Sequence, residues 1–523
     1  MNKILFFFFG FWSLVSIQAQ DSIRWSELLP VKGRINEIFP ISYSDFYTLR
    51  TQGAGMFSNT YISLHSNFKV SSNGKIYAKV ENGLGSIEKV EILKGAPFAF
   101  ISDKRDGEHF LYAQKYSSSC QPEGNPYLVC SYVMPKGWKR QGVYQIFTSK
   151  NKEFVCINYE IPGYKDEKQR FGFKIFNADF ELVNGGEYEL PYPPSKVQIS
   201  NTYLSNNGAF FFAAKVFKID ESQKTLRQRL MLDKMIVYHP NKEQIDEFEL
   251  NFGNEKIISE LNFSSDNEKI MSFTGLYGDN YQNGVKGVFY FQLDFLNKKI
   301  LSEGWNEFSK DFIMQGWSER EIQKAEKRLS KGKDQIQLFE YNVKDMQTLS
   351  DGSLIGLLEQ YYVKVITSSD PRTGSTSVTY YYYFNDIIVY KINPNGSFAW
   401  TNKIPKQQIS TNDYGYFSSF SYFLNNNTMH IIMNDNIKNY NEEGKFSALD
   451  GEEYIANFRK KYYAVAHVEL QLNDGNVKRE ILYTYKDVKS IAVPKLFSVD
   501  YSKNELLLYF ILGKKEKFGV WSF

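Results

Sequence analysis

Five times in this chain an apolar run meets a short polar turn and returns as a second, more polar run. The five hairpin patterns are Phe171 to Leu190, Met235 to Leu250, Gly287 to Ile300, Asp386 to Pro405 and Ala464 to Tyr483. A single hairpin of this kind cannot bury its apolar face, so a series of them must stack on one another. For short antiparallel meanders, a ring of four-stranded blades covers both faces of every sheet. Each hairpin reads as the outer half of such a blade. Upstream strand pairs, such as 197–204 with 209–217 before Met235, supply the inner half.

The two ends of the chain complement each other. After Tyr483 only three strand patterns remain, 490–498, 505–512 and 518–523, which is one short of a blade. Ser22 to Pro30 matches Ser397 to Pro405 in placing a tryptophan, Trp25 or Trp400, ahead of an alternating strand that ends in proline. Pairing the N-terminal strand with the C-terminal three closes the ring and removes two exposed edges. The expected fold is therefore all-β, a β-propeller of about eight four-stranded blades, with seven as the alternative because the first blade is weakly marked.

Ahead of this repeat, Lys3, the apolar run Ile4 to Ile17 and the small Ala19 have the pattern of a secretory signal peptide over 1–19. That run is short for a membrane span, which needs roughly 20 apolar residues. Residues 20–523 then read as one propeller domain with insertions near 305–334, 366–378 and 434–460. In the first of these, Ser318 and Glu321 form a capping box that opens a helix to about Lys331, and the lysines along it read as a solvated face. The 62 Lys and Arg against 59 Asp and Glu leave a net charge of +3, with no concentrated basic face for nucleic acid.

The blade unit DIIVYKINPNGSFAW resembles the hairpins of exported bacterial cell-envelope β-propellers with quinoprotein-like or WD-like blades, a group without established activity. The kelch glycine pair occurs once, at Gly185 and Gly186, and the WD and Asp-box signatures are missing. The resemblance implies a binding or scaffold role in the envelope and offers no catalytic residues.

Chemistry-bearing motifs are sparse. The five histidines, His65, His109, His239, His430 and His467, fall in five strand segments and lack the spacings HxxEH, HExxH and HxH. No nucleophile elbow, Walker loop or dinucleotide fingerprint occurs, so no catalytic residue, cofactor or metal ligand is assigned. Two loops gather oxygen donors of the calcium type, Asp435 with Asn436, Asn439 and Asn441, and Asp279 with Asn280 and Asn283. Asn and Asp are also ordinary turn formers, and that reading is preferred. Cys120 and Cys130 flank a Pro- and Gly-containing loop, and export makes a disulfide between them the expected state, with Cys156 a buried strand residue.

The sharpest binding candidate is a tyrosine ladder, Tyr361 and Tyr362 with Tyr380, Tyr381, Tyr382 and Tyr383, on two strands longer than a blade requires and joined by the polar tip Ser368 to Ser375. Tyrosines of this kind either pack across strands or anchor a partner. The sequence thus points to an exported binding or scaffold protein, periplasmic, outer-membrane-associated or extracellular. Its partner would be an envelope protein or a glycan. The rivals are a propeller glycan hydrolase or lyase and, because the chain ends in Trp521 and Phe523, an outer-membrane β-barrel.

Overall fold

The computed structural model describes residues 23–523 apart from 43, 54–57, 82, 135–141, 164–166, 220–229, 240–243, 250–255, 268–269, 279–283, 295–296, 333–335 and 450. Residues 1–19, read as a signal peptide, and the Asp279 loop lie outside the described residues. Among the described residues, eight antiparallel sheets of four or more strands follow one another along the chain. We number them one to eight, beginning at Arg34 and ending with the composite sheet that holds both chain ends.

In six of the eight sheets the strands lie side by side in chain order, while sheet eight takes the N-terminal strand beside the last strand and sheet six has an extra strand paired to its third. All five repeated hairpins are the third and fourth strands of their sheets, as in Arg170–Asn177 with Leu182–Glu189 and Tyr463–Gln471 with Val477–Thr484. The apolar patterns follow from burial. Middle strands are covered on both faces by neighbouring sheets, so Glu505–Leu512 is almost wholly buried and reads as a continuous apolar run. Outer strands meet water, and Leu182–Glu189 alternates between half-buried and exposed residues.

Core clusters lie between successive sheets. One joins Tyr47 and Ile62 of sheet one to Val90 and Ala99 of sheet two, and the series continues around to Phe423 and Ile432 of sheet seven with Leu508 and Trp521 of sheet eight. The last cluster returns from Leu507 and Phe518 of sheet eight to Ile35 and Phe46 of sheet one, so the stack is a closed ring. First strands of several neighbouring sheets touch, as Val197–Leu204 does Ile257–Asn267 and Ile257–Asn267 does Tyr341–Thr348. The strands divide into separate sheets, which corrects the membrane-barrel alternative, in which one continuous sheet would close on itself.

The ring is sealed by the N-terminal strand. Ile23–Trp25 pairs with the third strand of sheet eight through Ile23↔Trp521, Arg24↔Val520 and Trp25↔Gly519. Gly519 is required there, since a Cβ would stand 2.8 Å from the Trp25 ring. Trp25 also packs edge-on against Tyr483 and Phe510. The expected capping box is present at the helix Glu319–Leu329, where the Ser318 N–H donates to Glu321 Oε2 at 2.9 Å. None of its residues is buried.

In this structure Cys120 and Cys130 are not joined, and all three cysteines are free and buried. Cys120 belongs to the core between sheets one and two, whereas Cys130 belongs to that between sheets two and three. The two thiols therefore lie on opposite faces of sheet two, a separation that loop length alone does not reveal.

Candidate functional site

The second and third strands of sheet six, Leu354–Ser369 and Thr376–Ile392, stay paired from Leu354↔Ile392 to Ser369↔Thr376. Their flanking strands, Tyr341–Thr348 and Phe398–Ile404, cover only the first part of that length. Beyond a bulge between Glu359 and Tyr361 the pair continues as a ribbon, supported on one side where Gln408–Thr411 pairs with Tyr381 to Phe384. From Tyr361 to Ser369, at about 3.4 Å per residue, the ribbon is about 27 Å long, and its outer part projects beyond the supporting strand.

Strand alternation gives this ribbon two faces. One carries Tyr361, Val363 and Val365 opposite Phe384, Tyr382 and Tyr380, and the other carries Tyr362, Lys364 and Ile366 opposite Tyr383, Tyr381 and Thr379. Tyr362 and Tyr383 stack at 4.5 Å with planes 9° apart. Tyr382 is buried, with Tyr414 at 5.5 Å, while Tyr380 is 43% exposed. Tyr361, Tyr362, Tyr381 and Tyr383 are half-buried. The ladder is thus divided between packing and display. The exposed apolar positions also include Val363, Val365, Ile366, Val378 and Tyr414, outside the tyrosine ladder. Alternation of valine with polar residues at 363–365 is the signal that marks them.

At the foot of the ribbon, Glu359 is buried within a cationic setting. Its Oε1 accepts from Lys406 Nζ at 2.9 Å, its Oε2 accepts from Ser419 Oγ at 2.7 Å, and Lys344 Nζ lies 3.2 Å away. Burial opposes the charge, yet Lys406 and Lys344 hold the Glu359 carboxyl below its ordinary pKa. Nearby, Lys495 sits 4.2 Å over the Phe384 ring and donates to the Tyr414 carbonyl. Burial, aided by repulsion from Lys344, lowers the Lys495 pKa to about 8. Lys344 and Lys495 line a cavity of 320 Å³ with Phe420, Tyr422, Phe497 and Tyr501.

A larger cavity of 590 Å³ is lined by sheets one, two, three and eight, and it shares Val499 and Tyr501 with the smaller one. Its charges are linked in a chain, Glu37 to Lys89 at 3.1 Å, Lys89 to Glu91 at 3.7 Å and Glu91 to Lys152 at 3.7 Å. Burial raises the Glu91 pKa against the pull of Lys152 and Lys89.

The Asp435 loop is not a calcium site. Asp435 is buried in an ion pair with Arg479, and it accepts further bonds from Asn439 Nδ2 at 2.9 Å and Tyr440 Oη at 2.5 Å. Its oxygens are committed to the protein itself. Among the histidines, His65 is buried near the meeting of sheets eight and one, and His109 packs against Tyr132 and Tyr144. For His239 only the strand position is described. His430 and His467, in different strand segments, stand on neighbouring strands of sheet seven and touch.

No protein-family model matches the chain, and no curated protein does. Among solved structures it is similar to a DUF4221 family member from Bacteroides vulgatus, with 9% identity, 79% of this chain and 93% of that one covered, and a TM-score of 0.30. A Synechocystis apocarotenoid oxygenase matches at 7% identity over 89% of this chain and 94% of its own, with a TM-score of 0.34. The polysaccharide lyase Uly1 matches at 8% identity, over 85% and 94%, with a TM-score of 0.32. At these scores the likenesses carry no functional inference. The sheets and the cores between them establish the β-propeller.

Proposed function

We propose that this β-propeller is an exported protein that works by binding, with the ring as a rigid support and the sheet-six ribbon as the recognition element. The observation that carries this reading is the set Val363, Val365, Val378 and Tyr380, which shares one face of the projecting ribbon and is between 39% and 53% exposed. Clustered apolar side chains of this kind are shielded from water when a partner covers them. Tyrosine adds a rigid ring with a polar tip, which suits a binding hot spot. An envelope protein is the partner class that fits best, with a glycan second; export itself rests on the pattern of residues 1–19.

Envelope extracts passed over the immobilised protein test this reading. Replacing Val365 and Tyr380 by Ser should weaken capture by about 2 kcal/mol if either is a hot spot, and leave the melting temperature nearly unchanged. Tyr382→Ala should instead cost about 3 kcal/mol of stability, because that ring is buried. Retention of the same captured protein after deletion of 363–378 would overturn the assignment.

A second reading, glycan hydrolysis or elimination, rests on the 590 Å³ cavity, where Glu91 with its raised pKa lies beside Glu37. Two carboxyl groups with unlike environments are the usual acid and base of glycoside chemistry. Turnover of envelope glycans that is lost in Glu91→Gln would support it. Absence of turnover with the wild-type chain would reject it.

A further inference from the structure

We propose that His430, His467 and Glu469 bind one divalent transition-metal ion, of the zinc, cobalt or nickel class, beside the join between sheets seven and eight. Alternation places them together. His467 and Glu469 are two apart on Tyr463–Gln471 and so share a face, and in the register of the neighbouring strand His430 stands directly opposite Glu469. His430 Nδ1 and His467 Nε2 are 2.9 Å apart, and one donor atom from each of the three residues lies within 4.8 Å of the others.

The donor set selects the ion class. Two imidazoles and one carboxylate suit zinc and its transition-metal neighbours, whereas calcium and magnesium take oxygen ligands. With metal–nitrogen bonds of about 2.1 Å, two nitrogens at the observed separation subtend about 90° at the ion, the angle between adjacent ligands of a six-coordinate site. Positions left open by the three residues would be filled by water.

The surroundings are those of a constructed pocket. The His430 ring stacks on Phe423 at 4.7 Å, and Trp521 of sheet eight meets His467 edge-on at 5.3 Å. His467 is buried and Glu469 is partly open to solvent, so the pocket has a dry floor and a wet mouth. Trp521 Nε1 is buried with no hydrogen-bond partner among the described residues. The nearest cation, Lys478, is 3.9 Å from Glu469 but 3.0 Å from Glu480, which holds it at the rim.

Occupancy would tie the two middle strands of sheet seven together next to Trp521, whose backbone pairs with Ile23 of the sealing strand. The ion would therefore act on the ring closure. The competing account is a plain hydrogen bond between two neutral imidazoles.

Untagged full-length protein, freed of metal with EDTA and dialysed, tests the choice by titration with Co²⁺ and Zn²⁺. The expected result is one ion per chain in calorimetric titration and a melting temperature raised by saturating Zn²⁺. His430→Asn and His467→Asn should abolish the binding. Glu469→Gln, at a partly exposed position, should keep the metal-free melting temperature and weaken affinity by at least about tenfold. Should the histidine variants fail to fold, Glu469→Gln decides alone. Affinity equal to wild type in Glu469→Gln, or no metal retained by wild-type protein, would overturn the proposal.

Discussion

Arg50 of sheet one and Glu516 of sheet eight form a two-pronged ion pair across the closure of the ring, Nη2 to Oε1 at 2.7 Å and Nη1 to Oε2 at 2.9 Å, with both side chains 4% exposed. Tyr509 Oη donates to the same carboxylate at 3.1 Å. Two parallel N–H···O bonds are directional, so the pair also constrains how the two sheets meet. Removing one partner leaves a buried, unpaired charge. Glu516→Gln should cost about 3–5 kcal/mol in denaturant unfolding, while the double change Arg50→Met with Glu516→Leu should cost less. A double variant as unstable as the sum of the two single ones would mean that the pair is not the operative contact.

Trp25 occupies the space that Gly519 leaves vacant. Gly519→Ala should therefore destabilise by about 1–3 kcal/mol through overpacking. Deleting 23–30 should also sharply reduce soluble yield, because it exposes the edge of sheet eight. A truncated chain with unchanged melting temperature would show that the strand is dispensable for closure.

Acid should loosen the same region through His65. This ring is fully buried, stacked on Phe46 at 4.5 Å, and burial lowers its pKa to about 4, with the Phe68 carbonyl opposing the shift and Arg50 adding to it. The folded state thus prefers neutral His65. That preference stabilises the fold fully above the ordinary pKa of about 6.5 and is lost as the pH falls from there towards 4, a contribution of about 3 kcal/mol. In His65→Gln the melting temperature should fall less over this interval. An identical pH profile in the variant would assign the acid sensitivity to other groups.

The cysteines offer a chemical check on the sheet assignment. Burial raises all three thiols, Cys130 to about 12, so they should resist alkylation in the native state. Three labelled cysteines should then appear on unfolding without reductant. Mass spectrometry that finds Cys120 and Cys130 linked would contradict their placement on opposite faces of sheet two.

Much of the ring was legible before folding was considered, because the features that specify it are local. An apolar run, a polar turn and a returning strand recur with enough regularity to mark the outer half of five blades, and the likeness of Trp25 to Trp400 located the sealing strand. The residues that matter chemically were not legible in the same way. A strand reverses the facing of its side chains at every residue, and one bulge, such as that between Glu359 and Tyr361, resets the alternation. Bulges between Leu111 and Tyr112 and between Ala113 and Lys115 in the same way break any simple count from Cys130 back to Cys120.

Sequence by itself determined the repeated hairpins, the composite closing sheet and the projecting ribbon, since each depends on polarity along a contiguous stretch. Only the tertiary structure decided that His430 meets His467, that Arg50 meets Glu516, and that Tyr382 is buried while Tyr380 is displayed. The physical reason is that these relationships depend on strand register and on which faces of neighbouring sheets come together, quantities set by packing around the whole ring.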